Sequence, residues 1–336
     1  MSLRWGKLGI SALGAGAAFG LALSAFAQVT CRVTFDDPLD DLSAVHDQLE
    51  SHIQAGCGLW APRLAGTGEL WVRVTPSTEI ATVECTPFIW SYFDTVDGLD
   101  IFETCVATHV RNGYPASTFD PDIEIRINPA YAADGLWFEA DPWLRDGTPD
   151  AARLDAVSVF GRGLGRCLGF DGWKQPDGTY PANMASRFDR LITISENEPR
   201  FEGADATVVY GSPVPLTIGQ LFCVGNEPPG PGSDLTGDIM SGLGLSAGVR
   251  YWVSELDFAM LRDAGVPVTY LCPCDLNADG FVDDADFMTF SQQYDVLDCA
   301  DPGMPSGCPS DFNHDGMVED LDYVIFVQAY QEFICP

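Results

Sequence analysis

The chain has 336 residues and a formal charge of −32, from 49 acids against 17 bases, of which only Lys7 and Lys174 are lysines. Nucleic acid would be repelled, which excludes binding through a basic patch; a hydrophobic fraction of 46% with 11% aromatic residues excludes a disordered acidic chain. Eleven cysteines point to an oxidising compartment.

Residues 1–27 read as a secretory signal peptide. Arg4 and Lys7 give a positive start, Ile10 to Phe26 is apolar and Gly/Ala-rich, and Ala25-Phe26-Ala27 fits the small-x-small cleavage rule. The mature chain would start near Gln28 and be secreted. The alternative, a retained anchor, is disfavoured by the glycines, the short apolar run and the cleavage site. No other stretch reaches the ~18 apolar residues needed to span a bilayer, so the mature chain is expected to have no membrane span.

Residues 28–270 form the larger expected domain. Leu42, Val45, Leu49, Ile53 and Trp60 share one face, which predicts a helix over Asp41–Leu59. Leu70 to Val74 reads as a strand, and Ile123, Ile125 and Ile127 alternate with polar residues as a half-buried strand does. A central helix is expected over 150–169, with Asp150 as its N-cap, and a last helix opens at Ser254-Glu255-Leu256-Asp257 and ends near Gly265 and Pro267. Strands interspersed with helices in this order predict an α+β fold. Cys85–Cys105 is a candidate local bridge, whereas Cys167 falls within the central helix and is expected as a buried thiol.

The stretch Asp155 to Phe160, then Gly161 to Gly169, then Phe170-Asp171-Gly172-Trp173, resembles the metal-binding helix of the zincin metallopeptidases, in particular the metzincins. Gly237-Asp238-Ile239-Met240-Ser241 resembles their Met-turn, and Tyr251 to Val266 their closing helix. The resemblance implies a zincin-like fold: a mixed sheet, a central helix and a C-terminal helix. It places the first zinc histidine on Arg162, the general-base glutamate on Gly163, the second histidine on Arg166 and a third on Gly172. Those residues cannot do that chemistry. A guanidinium stays protonated and has no lone pair for Zn²⁺, and glycine has no side chain to act as a base. Zinc is therefore not expected, and the domain reads as a pseudoenzyme. Two other readings of the arginines are a solvent-exposed or acid-paired helix face and an anion site. Gly161, Gly163 and Gly165 do not satisfy the dinucleotide-binding glycine pattern.

Residues 271–336 form a second, small domain, with 14 acids and no Lys or Arg from Cys272 onward. It repeats at an offset of 36: Asp275, Asn277, Asp279, Gly280, Val282 and Asp286 recur as Asp311, Asn313, Asp315, Gly316, Val318 and Asp322. Each unit is a D-x-N-x-D-G loop followed by a short helix. A hard cation such as Ca²⁺ takes six to eight oxygens. The expected ligands are Asp275, Asn277, Asp279, the Phe281 carbonyl, Asp283 and Asp286 in one loop. In the other they are Asp311, Asn313, Asp315, the Met317 carbonyl, Glu319 and Asp322. Val282 and Val318 are expected to pair between the loops and face a small core.

The tail resembles a dockerin, an all-α module of two Ca²⁺ loop-helix units. That implies about two bound Ca²⁺ and a docking role toward a cohesin-like or cell-surface protein partner. Loop positions 10 and 11, which often set partner choice in that family, are Asp284-Ala285 and Asp320-Leu321. Two symmetric disulfide schemes are open: Cys272–Cys299 with Cys308–Cys335, or Cys272–Cys335 with Cys299–Cys308. Cys274 has no repeat mate. The expectation is a secreted calcium-binding protein with a docking module and an inactive peptidase-like domain. The alternatives are an active metallopeptidase with unconventional ligands and a polysaccharide-associated extracellular protein.

Overall fold

The computed structural model describes residues 29–195, 198–217, 223–224, 237–242, 244–269, 274–276, 282–305, 308–312 and 315–332. The signal segment, Asn277, Asp279, Phe281, Asn313, Cys272 and Cys335 lie outside these residues. The fold is mixed α+β with several sheets and eight helices among the described residues.

In chain order come β1 (Val29–Phe35), α1 (His46–Gly58), β2 (Gly68–Pro76), β3 (Val83–Pro87), β4 (Trp90–Val96) and β5 (Leu99–Thr104). Next are α2 (Cys105–Asn112), β6 (Ile123–Ile127), α3 (Pro129–Asp134), β7 (Leu136–Trp137), β8 (Leu154–Asp155) and α4 (Ala156–Leu168). Then follow β9 (Met184–Ser186), β10 (Ile192–Ser195), β11 (Glu198–Phe201), α5 (Ala204–Tyr210), β12 (Val214–Thr217) and β13 (Cys223–Val224). The last three elements are α6 (Glu255–Asp263), α7 (Asp284–Tyr294) and α8 (Asp320–Glu332).

The main sheet has the order β1-β2-β6-β3. β1, β2 and β6 are parallel, and β3 closes the edge antiparallel to β6. Its inner face follows the alternation in the sequence: Leu70, Val72 and Val74 of β2 and Ile123, Ile125 and Ile127 of β6 are all buried. α1 and α4 cover this face, and a disulfide between Cys31 on β1 and Cys57 on α1 ties helix to sheet. Apolar side chains from Val29 to Val268 form one continuous cluster, and those from Cys274 to Phe326 form another.

Several local expectations need correction. A 3-10 turn at Ser43–Val45 precedes α1, so the predicted 41–59 helix is regular only from His46. α4 starts at Ala156, and its N-cap is Asp155, whose carboxylate accepts the Ser158 N–H at 3.1 Å. Asp150 instead closes a turn onto Ala152 N, because 150–153 must lead into the short strand β8, which pairs with β7. Asp155 is itself buried in an ion pair with Arg145 at 3.1 Å. α6 begins as expected, with a reciprocal capping box between Ser254 and Asp257. The chain leaves it through Ala264 and a left-handed Gly265 (φ +80°).

Cys85 and Cys105 are not bridged; both are thiols, as is the buried Cys167. Cys105 instead directs its Sγ at the Asp122 carbonyl, 3.0 Å away. Among the described residues no helix is long and apolar enough to cross a membrane.

Candidate functional site

α4 carries Arg162, Gly163 and Arg166, the positions on which the sequence resemblance lays a metal motif. Of its thirteen residues, only Arg162 and Arg166 are more than slightly exposed. Glycines cost a helix ~1 kcal/mol each relative to alanine, and their neighbours explain their presence here. At Gly161 the helix touches α1 so closely that a Cβ on the facing Gly56 would stand 2.9 Å from Gly161 N. Trp60 donates its indole N–H to Gly161 O at 2.8 Å. At Gly165 a Cβ would meet the Trp60 ring and stand 2.9 Å from Met240 Sδ. At Gly163 it would run into Cys85 of β3, whose Cβ is 2.7 Å away and whose Sγ is closer still.

The turn at 237–241 lies against this helix. Ile239 N donates to Trp252 O and Trp252 N to Gly237 O, both at 2.9 Å, which holds the turn beside the segment leading into α6. Arg162 donates from Nη1 to Ile239 O at 3.2 Å, and Met240 is fully buried against Gly165. Beneath the turn, Asp238 accepts the Ser254 hydroxyl at 2.6 Å and the Met240 N–H at 2.7 Å. Burial pushes the Asp257 carboxyl well above the usual carboxylate range, and the neighbouring Asp238 adds to the shift.

Arg166 faces a different set of groups. Its Nε is buried and has no hydrogen-bond partner among the described residues. Burial pushes the half-buried Asp171 up to about 6, against the pull of Arg166 and the Gly172 N–H. Burial also pushes the Cys85 thiol up to about 12, with Arg166 again opposing. Gly172, where a third histidine would fall, abuts the carboxylate of Asp189: a Cβ there would lie 2.6 Å from Oδ2 and nearer to Oδ1. Asp189 is held by the N–H groups of Ser186, Trp173 and Lys174 at 2.8–3.1 Å.

These residues do not fit zinc. The two guanidiniums offer no lone pair. The spaces beyond Gly163 and Gly172 are filled by Cys85 and Asp189. Sequence reasoning missed both fillers, which come from elements distant in the chain and carry no motif.

The tail brings the acidic repeat residues inward. Asp286 and Asp322 are completely buried, and Asp311 is 8% exposed. Asp311 accepts N–H groups from Asp315 at 3.2 Å and Gly316 at 3.0 Å, so the loop wraps round its first carboxylate. Gly316 has φ +92°, a turn that favours glycine. Asp315 accepts the Met317 N–H at 3.0 Å. Asp322 accepts from Phe312 at 2.7 Å and Glu319 at 2.9 Å, tying the loop's two ends to the start of α8. Asp286 does the same for Asp283 at 3.0 Å. Buried carboxylates are costly unless paired or bound to a cation, and residues 272–336 contain no Lys or Arg. The donors are hard oxygens, so the described residues Asp275, Asp283, Asp286, Asp311, Asp315, Met317, Glu319 and Asp322 fit Ca²⁺.

The repeat packs as a pseudo-symmetric pair. Phe290 and Phe326 stack at 5.1 Å, and Val282 and Val318 are both fully buried in the small core. Tyr294 donates its hydroxyl to Asp320 and Tyr330 to Asp284, each at 2.5 Å. The expected pairing between the two valines is corrected: Val318 N donates to Leu297 O at 2.7 Å. The segment after α7 therefore supplies the strand-like partner, because Cys299 and Cys308 are bridged and hold it against the second loop. That bridge excludes the Cys272–Cys299 with Cys308–Cys335 scheme. Cys274 is a buried thiol.

One buried pair escaped sequence reasoning entirely. His109 of α2 and Asp122, just before β6, are each 3% exposed, with Nδ1 3.0 Å from both carboxylate oxygens. They are thirteen positions apart in a stretch without periodicity, so no local signal joins them. Comparison with known proteins finds neither a protein-family model nor a curated protein that matches the chain.

Proposed function

We propose that the chain is a secreted calcium-binding protein whose dockerin-like tail docks onto a protein partner and whose larger domain is a zincin-like framework without metal chemistry. The observation that carries this reading is the placement of Asp286 and Asp322. They are repeat mates, both completely buried, in a segment with no basic residue. Two divalent cations would neutralise much of that charge, and the carboxylate, amide and carbonyl donors of the loops suit Ca²⁺ rather than a softer metal. Cation binding would stabilise a core too small to be stable on apolar burial alone.

The docking role is supported by the outer surfaces of α7 and α8. Met288 and Val324 are repeat mates and both more than half exposed, and Leu321 is 58% exposed. Exposed apolar side chains at equivalent positions of two helices suit a cohesin-like or cell-surface partner. For the larger domain, absence of peptidase activity is supported by what fills the space. Restoring the motif residues alone would not rebuild a zinc site, because Cys85 and Asp189 occupy the volume that the side chains would need. Export is supported by the positive, apolar and small-residue pattern of residues 1–27.

Calorimetry with Ca²⁺ on the metal-stripped chain tests the central claim. Two bound ions are expected, with both lost in the Asp275→Ala/Asp311→Ala double variant. Absence of any Ca²⁺ heat in the unaltered chain would falsify it. Zinc content and casein cleavage after zinc add-back test the second claim: stoichiometric Zn²⁺ with chelator-sensitive cleavage would overturn it.

A further inference from the structure

Away from α4 and the calcium loops, a cavity of about 380 Å³ opens between β1, β2 and the loop after α2. Arg32, Trp71, Tyr114, Ser117 and Asp120 line it, and His109 forms part of its wall. His109 is 97% buried by area, and its Nδ1 lies 3.0 Å from both oxygens of Asp122. Both hydrogen bonds found for the ring among the described residues are made by Nδ1.

Asp122 is fastened on every side. Its Oδ2 accepts the Trp71 N–H at 2.8 Å, its own N–H donates to Trp71 O at 2.9 Å, and its carbonyl accepts from Phe88 N at 3.0 Å. A carboxylate fixed in this way holds a proton on Nδ1, which leaves the lone pair on Nε2. The backbone beside Nε2 is Gly68 at φ +132°, and a Cβ there would stand 2.8 Å from that nitrogen. Any larger residue at this position would crowd the nitrogen.

We propose that His109 and Asp122 form a reactive imidazole site, with Nε2 as a nucleophile toward small uncharged esters. The size of the cavity sits at the lower end for small-molecule sites. Its charges favour a neutral substrate. Arg32 is paired with Glu69 at 3.3 Å, Asp122 is matched by His109, and Asp120 accepts the Ser117 hydroxyl at 2.8 Å. The remaining acidity of the wall, in a chain of net charge −32, repels anions.

The chemistry balances without a further reactant than water. The Nε2 lone pair attacks the ester carbonyl carbon, an N–C bond forms, and the C–O bond breaks with its electron pair leaving on the alkoxide or phenolate. The acyl-imidazolium is stabilised through Nδ1–H by the Asp122 carboxylate. Water then adds to the acyl carbon, the N–C bond breaks with its electron pair returning to Nε2, the carboxylic acid leaves, and the second proton of the water passes to the alkoxide or phenolate released in the first step. Asp122 is a positioning residue in this scheme, and His109 is the catalytic residue.

The test uses the intact chain with p-nitrophenyl acetate as probe, read by nitrophenolate release and by locating the acetyl group by mass spectrometry. Acetylation at His109 is expected at least tenfold faster than at His52. His52 is buried too, but both of its nitrogens are engaged: Nδ1 faces Gln48 O and Nε2 accepts the Glu139 N–H, each at 2.8 Å. His109→Gln should abolish the excess release. Gly68→Ala, which keeps the imidazole but crowds Nε2, should reduce it at least fivefold. Asp122→Asn should lower it and remove the downfield proton resonance of the Nδ1–H hydrogen bond, a signature that general loss of packing at the cavity mouth would leave in place. The localisation in the unaltered chain stands even if a variant fails to fold. No acetyl group at His109, or release equal to that of a folded His109→Gln variant, overturns the proposal.

Discussion

Gly163→Ala isolates the contact that most clearly separates this helix from a metal-binding one. In a helix interior the change should gain ~1 kcal/mol from backbone propensity. Against that, the new methyl would enter space held by Cys85, with the Cys85 Cβ only 2.7 Å away and the Sγ nearer. The sulfur could rotate, but the Cβ is anchored to β3, which is locked by its pairing with β6 from Val83↔Ile127 to Pro87↔Ile123. Overpacking of this kind costs ~1–3 kcal/mol, and an anchored neighbour places it toward the upper end. The net expectation is a loss of ~1–2 kcal/mol, or ~2–8 °C in melting temperature for a domain of this size. Urea denaturation of Gly163→Ala, Cys85→Gly and the double variant measures it. Without the cysteine side chain the helix-propensity gain should reappear, giving a coupling energy of ~2–3 kcal/mol. A stabilised Gly163→Ala variant, or strictly additive single changes, would refute the argument and reopen the space for a longer side chain.

Asp257 should make stability pH-dependent. Its native carboxyl titrates well above the usual value of 3.8, so the folded form holds a proton that the unfolded chain has lost. Stability is full below the unfolded value and falls as pH rises through the native one, by at most about 1.4 kcal/mol per pH unit. Asp257→Asn should flatten that decline in melts between pH 4 and 8, and an unchanged slope counts against the assignment. Cys31→Ser should cost ~3–4 kcal/mol by freeing a loop of 26 residues, measurable in guanidinium, and a change under 1 kcal/mol would show the bridge to be dispensable. Cys85, Cys105 and Cys167 should resist Ellman's reagent in the native chain, because burial disfavours all three thiolates; rapid labelling before unfolding would contradict their placement. Trp60→Phe should lose ~1–3 kcal/mol by leaving the Gly161 carbonyl without its indole donor, and a neutral change in thermal melts would argue against that hydrogen bond.

What could be read from the amino acids alone was the local part of the design. The offset of 36 exposes the tail's acidic loops because the repeated acids of each loop fall within twelve successive residues. The alternation of Ile123, Ile125 and Ile127 predicts one buried face, and Ser254 with Asp257 predicts a capped helix, because strand pleats and helix starts are set by near neighbours. The α+β class followed from these elements.

Only the tertiary structure decided what surrounds them. Nothing near Gly163 announces that Cys85 fills its space, and nothing near Gly172 points to Asp189. The Cys31–Cys57 bridge, the two unbridged thiols at Cys85 and Cys105, and the pairing of Val318 with Leu297 are likewise choices among distant partners. The His109–Asp122 pair is the same case, since it forms where α2 and the start of β6 meet across β2. Periodicity encodes which face of an element is buried, whereas the identity of the neighbour depends on how the chain closes over long separations, where packing leaves no repeat to read.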